Sequence, residues 1–191
     1  MSNSLTKFVD KLSSYQLFNY LFPGIIFNYV VEQTMSFRIA QNDILYRFFV
    51  YYITGMVLSR IGSIIIEPIY KKWCWVVYAK YKNYLKAEEK DPKLNLLLLE
   101  NNTYRTLIAT FFCLLVLYGI DQIEWLHDKY DSNIATILYL GFFLFLFSVS
   151  FHKQTDFIRK RTHRNLELKD EEQVNELKDN QKKIRIWKQI L

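Results

Sequence analysis

Charge is segregated along this 191-residue chain, and that segregation limits its folds more than any motif does. Residues 12–31, 48–59, 106–120 and 132–152 carry no Asp, Glu, Lys or Arg, whereas the stretches between them are crowded with charge. A bilayer core about 30 Å thick needs roughly 20 mainly apolar residues at about 1.5 Å each to cross it as a helix. Runs 12–31 and 132–152 meet that length outright. Run 106–120 reaches it if Tyr104, Arg105, Ile123 and Trp125 anchor its ends at the two interfaces. Run 48–69 reaches it only if Arg60 is tolerated inside. The expectation is an all-α membrane protein with four transmembrane helices, near 14–34, 47–69, 104–124 and 133–152. A mean hydropathy of −0.04 only averages these two populations.

The first run also has the lysines that precede a secretory signal, Lys7 and Lys11. Its bulky Phe and Tyr content, and the lack of a small-x-small cleavage site before Glu32, favour an anchor. Pro23-Gly24 within it predicts a kink or break.

Lys and Arg concentrate on cytoplasmic flanks. With Arg60 left inside the membrane, 21 lie in 1–13, 70–105 and the tail from Lys153, against three, Arg38, Arg47 and Lys129, on the other side. Both termini and the central loop are therefore expected in the cytoplasm. The external loop with Asp121, Glu124, Asp128 and Asp131 is net acidic. The resulting order is an N-terminal amphipathic helix (1–13), two spans (14–69), a basic helical hairpin (70–103), two spans (104–152) and a helical tail (153–191).

In 1–13, Leu5, Phe8, Val9 and Leu12 share one helical face behind a Ser4 N-cap. In the hairpin, a helix from Lys71 is expected to stop at Asp91-Pro92, because the residue before proline avoids the helical region. A second helix then carries Leu94 to Leu99 toward span three, and its leucine run implies packing. In the tail, Val174, Leu177, Gln181, Ile184, Lys188 and Leu191 fit a short heptad pattern.

Span two holds the residues most suggestive of function. Gly55, Ser59 and Ser63 form a small-xxx-small stripe that admits a second backbone. Arg60 sits beside it, 11 residues from Lys71, where a charge in lipid costs roughly 3 kcal/mol. It must face protein or water. Arg60 and Glu67, with Thr54, either tie spans together or line a polar path. Four thin spans leave little room for a private pore, so conduction would require a homo-oligomer, for instance a tetramer.

A second candidate is the basic, aromatic-laced set Lys71, Lys72, Lys80, Lys82, Lys86, Arg159, Lys160, Arg161 and Arg164. Such residues suit phosphates and stacked bases, and equally a membrane border. No catalytic, cofactor or metal motif is present: His127, His152 and His163 are scattered, and Cys74 and Cys113 lack partners.

The run Tyr15-Gln16-Leu17-Phe18-Asn19-Tyr20-Leu21-Phe22-Pro23-Gly24, the span with Arg60, and the basic hairpin before Tyr104-Arg105-Thr106 resemble small four-span membrane proteins of bacterial anti-phage defence operons. The channel subunit of Hailong systems is the nearer likeness, the membrane subunit of Kiwa systems the second. That resemblance implies a homo-oligomeric inner-membrane ion channel held closed by a partner's product and acting by membrane depolarisation. In Hailong systems the partner is similar to a nucleotidyltransferase making single-stranded DNA oligomers. Single-stranded oligonucleotide and a cytosolic nucleotidyltransferase are thus the implied partners, beside the lipid bilayer. A non-conducting anchor that recruits a cytosolic partner, or a small transporter or lipid-handling protein, would use the same architecture.

Overall fold

The structure is a computed structural model that describes residues 16–34, 43–73, 75–125, 134–166 and 178. The expected helix over 1–13 and the heptads of 174–191 lie outside these residues, as do most of both predicted external loops. Every regular element among the described residues is helical. In order they are α1 (residues 17–34), α2 (Ile44–Lys72), α3 (Tyr81–Lys90), α4 (Lys93–Trp125) and α5 (Ile134–Asn165).

Three helices are long and apolar enough to cross a membrane, over Ile44–Lys72, Lys93–Ile120 and Thr136–Asn165. The first run is helical too, but shorter, and interrupted by the buried Asn19 and Asn28.

Proline shapes both α1 and α2 without breaking them. Pro23 has no N–H to give the Asn19 carbonyl, and the helix accommodates this with a π-turn over Leu17–Leu21, closed by the Phe22 N–H on the Leu17 carbonyl. Pro68 follows a second π-turn, Gly62–Ile66, in the same way, with the Glu67 N–H on the Gly62 carbonyl. The break expected at Pro23-Gly24 is therefore a change of register inside a continuous helix. Gly24 serves packing instead: a Cβ there would collide with the Tyr51 carbonyl of α2, as one on Gly55 would with the Tyr20 carbonyl of α1.

The α4–α5 pair forms the spine. Phe111 stacks on Phe143 and Phe147, with ring centroids 5.2 and 5.6 Å apart. Val31, Leu114, Tyr118 and Leu140 complete this core. Toward the lysine-rich end, Ile66, Val76, Ile108, Ala109 and Phe151 form a second cluster.

The hairpin departs from expectation in its first arm. The helix from Lys71 does not run on to Asp91: α2 ends at Lys72, and residues 76–80 form no regular structure. Trp75 and Val76 donate their N–H groups to the Tyr70 carbonyl, and Val76 is buried in the second cluster. The bulky and β-branched residues Trp73, Trp75, Val76 and Val77 are mediocre helix formers, and burying Val76 outweighs continuing the helix. The stop at Asp91-Pro92 is where the sequence places it, and α4 starts at once and runs unbroken into the third apolar run. Leu94 packs with Ala87 and Ile158, whereas Leu96 is exposed.

Candidate functional site

Gly55 and Ser59 of the small stripe face the rest of the chain, whereas Arg60 faces out from α2. Gly55, Ser59 and Gly62 are buried against the rest of the chain: Gly55 against α1, Gly62 against the Arg105 carbonyl of α4. Thr54 and Ser63 are half-buried. Ser59 Oγ receives Asn19 Nδ2 at 3.4 Å, and Asn19 Oδ1 receives the Thr106 hydroxyl at 2.9 Å. Helices α1, α2 and α4 thereby each contribute a side chain to a buried polar layer. The stripe's close approach is spent within the chain, on α1 and α4.

Arg60 points outward and is exposed, and it makes no ion pair or hydrogen bond among the described residues. Ile53, Met56, Val57 and Ile64 lie at i−7, i−4, i−3 and i+4 from it and are all exposed, Ile64 at 71%. Side chains at those spacings share one face. The outer face of α2 is thus an apolar stripe interrupted by one guanidinium.

Glu67 does not answer Arg60. Its carboxylate takes Arg105 Nη1 of α4 and, at 2.6 Å, Lys71 Nζ. Lys71 also lies 4.6 Å from the Tyr78 ring centroid. Burial, with the Glu67 charge beside it, pushes the Tyr78 hydroxyl above its ordinary range, so it stays a neutral phenol. The carboxylate bridge between helices therefore exists, but its cation is Arg105.

These contacts also revise how deep Arg60 sits. Tyr70, ten residues on, would lie about 15 Å further along a straight helix. Yet its hydroxyl meets Ser148 Oγ at 2.6 Å and its ring meets Phe151, while neighbouring Phe147 meets Tyr104. After the π-turn the last turns of α2 cross the α4–α5 pair instead of following it. Arg60 consequently stands in the layer of Asn19 and Thr106, at the margin of the uncharged stretch 106–120.

The basic set is divided as well. Arg159 and Lys160 both bind Asp156, and Arg161 Nε binds Asp91 Oδ2 at 2.6 Å. Asn165 Nδ2 adds a bond to the same oxygen at 3.0 Å, and the Lys93 N–H one to Asp91 Oδ1. The Arg161 and Asn165 bonds hold the Asp91 carboxyl at a pKa of about 2. The turn of the hairpin is thereby clamped to the end of α5. Lys80 has a partner of its own. Lys72, Lys82, Lys86 and Arg164 are exposed and form no ion pair among the described residues. Of the nine cations, Lys71, Arg159, Lys160 and Arg161 are thus held in ion pairs with carboxylates of the chain.

Among the described residues there is no cluster of His, Cys, Asp and Glu able to hold a metal ion. An open groove of about 420 Å³ lies between the end of α2 and the α4–α5 pair; no motif signals it, because its walls come from three helices. No protein-family model matches the chain, and neither the curated proteins nor the solved structures compared with it contain a match.

Proposed function

We propose that the chain is a four-span membrane protein, lysine-rich parts in the cytoplasm, that assembles into a homo-oligomeric ion channel through the outer face of α2. The observation that carries this reading is Arg60, exposed in the apolar stripe of Ile53, Met56, Val57 and Ile64 and without an ion pair or hydrogen bond among the described residues. In acyl chains a lone guanidinium is unfavourable, by roughly 3 kcal/mol at the bilayer centre and less toward the margin where Arg60 sits. Helical side chains lean toward the helix N-terminus, here away from the lysine-rich interface, which hinders escape to the near headgroups. Facing copies of α2 with water between them relieve that cost. A ring of Arg60 at the cytoplasmic mouth would favour anions.

Among the described residues, the buried side chains of Asn19, Ser59 and Thr106 bond one another, and those of Asn101 and Thr155 form a separate pair. The bilayer, other copies of the chain and the two orientations follow from the Lys and Arg distribution together with this face. The bacterial inner membrane, a defence role and gating by an oligonucleotide or a nucleotidyltransferase rest on the resemblance described above. For such a ligand, Lys72, Lys82, Lys86 and Arg164 are the cations without an ion pair among the described residues, and Arg161 would have to exchange Asp91 for a phosphate.

Reconstituted in planar bilayers, the wild type should pass current. Arg60→Glu should move the reversal potential in a salt gradient toward cation preference. Silent bilayers from an intact oligomer would contradict conduction. They would favour instead a scaffold that recruits a cytosolic partner on the hairpin, where Tyr81, Leu85 and Leu96 are exposed beside Lys82 and Lys86.

A further inference from the structure

The groove at the end of α2 answers a different chemistry from the outer face of that helix. Its lining is mainly apolar, with Ile69 of α2, Ile108 and Phe112 of α4, and Leu144 of α5, joined by Lys72 and Trp73. Its 420 Å³ falls in the range of small-ligand sites, about 300–1,000 Å³. The two adjacent lysines have separate assignments. Lys71 is committed inward to Glu67, whereas Lys72 is exposed and makes no ion pair among the described residues. Trp73 is 73% exposed, an indole of the kind enriched at headgroup level. Beyond Phe112, Val116 and Ile120 continue an exposed apolar track along α4.

We infer that this groove binds one anionic phospholipid of the cytoplasmic leaflet, with an acyl chain along Phe112 and the phosphate on Lys72. The crossing of α2 over the α4–α5 pair creates the site. A helix continuing straight would leave no overhang, and a cation placed above an apolar trench is the complement of a lipid anion. The inference rests on the membrane reading and is independent of conduction.

The test uses full-length protein that has first been shown to float with liposomes; protein that does not float sinks the membrane reading and this inference with it. Native mass spectrometry then follows adducts with phosphatidylglycerol, phosphatidylcholine and inorganic phosphate. The expected result is phosphatidylglycerol retained about fivefold or more over phosphatidylcholine, with Lys72→Gln removing the difference. Ile69→Trp, which fills the trench, should lower both adducts at unchanged helicity and subunit number, and phosphate alone should displace neither. Equal retention of the two lipids, or Lys72→Gln without effect, would overturn the inference. So would displacement by phosphate alone, or Ile69→Trp altering the subunit number and not the adducts, which would mark the groove as a subunit contact.

Discussion

The two faces of α2 are built from the same dozen residues and serve different ends. Inward, Gly55, Ser59 and Gly62 let α1 and α4 come within backbone contact and complete a buried polar layer. Outward, Ile53, Met56, Val57 and Ile64 remain exposed around Arg60, which has no ion pair among the described residues. The inner face accounts for the fold of a single chain, and the outer face is what a single chain leaves unexplained. Substitutions on the two faces should therefore separate stability from assembly.

The largest effect belongs to the inner face. Gly55→Leu drives a side chain into the Tyr20 carbonyl and should cost about 3 kcal/mol or more, read as loss of a cooperative melt in detergent. Arg105→Gln leaves Glu67 with only Lys71; the Arg105 and Glu67 side chains are 15% and 16% exposed, so about 2 kcal/mol is expected, below the range for fully buried pairs. Thr106→Val removes the hydroxyl's hydrogen bond to Asn19 Oδ1 and should cost about 1 kcal/mol in the same melt. On the outer face, Arg60→Leu should leave that melt within about 0.5 kcal/mol of wild type, as surface changes do, while altering conductance. A melt as damaged by Arg60→Leu as by Gly55→Leu would erase the distinction between the faces.

The smallest effect lies away from both faces, at the Asp91 clamp. Its carboxyl titrates at about 2 when folded, below the ordinary value of about 3.9, so its contribution is complete above about pH 4 and fades as pH falls toward about 2. Asp91→Asn at neutral pH should mimic that loss and speed tryptic cleavage at Lys90 while leaving conductance and the melt of the spans unaltered.

Much of this architecture is legible in the residues. The apolar runs fall on α2, α4 and α5, and Asp91-Pro92 ends α3 at the expected place because proline's constraint is local. What the sequence hides is set by tertiary contact. Gly55, Ser59 and Arg60 are neighbours in the chain and read as one site, yet a helical step of about 100° turns Arg60 away from the stripe. The lysines and arginines of the hairpin and α5 read as a single basic patch, because nothing in their spacing shows that Asp91 and Asp156 claim three of them. Pro68 could have signalled the second π-turn, as Pro23 does the first. The crossing that this turn sets up, and hence the shallow position of Arg60 and the lipid-sized groove, needed the partners of Tyr70 to be seen.

Cross-linking in native membranes tests the outer face most directly. With Cys74 and Cys113 replaced by serine, Val57→Cys places a thiol one turn from Arg60 on the exposed stripe. Mild oxidation should yield chain-to-chain disulfides at Val57→Cys and none at Leu58→Cys, which is buried within the chain. Monomer alone at Val57→Cys, from protein that is folded and membrane-inserted, would contradict assembly through this face and the channel built on it.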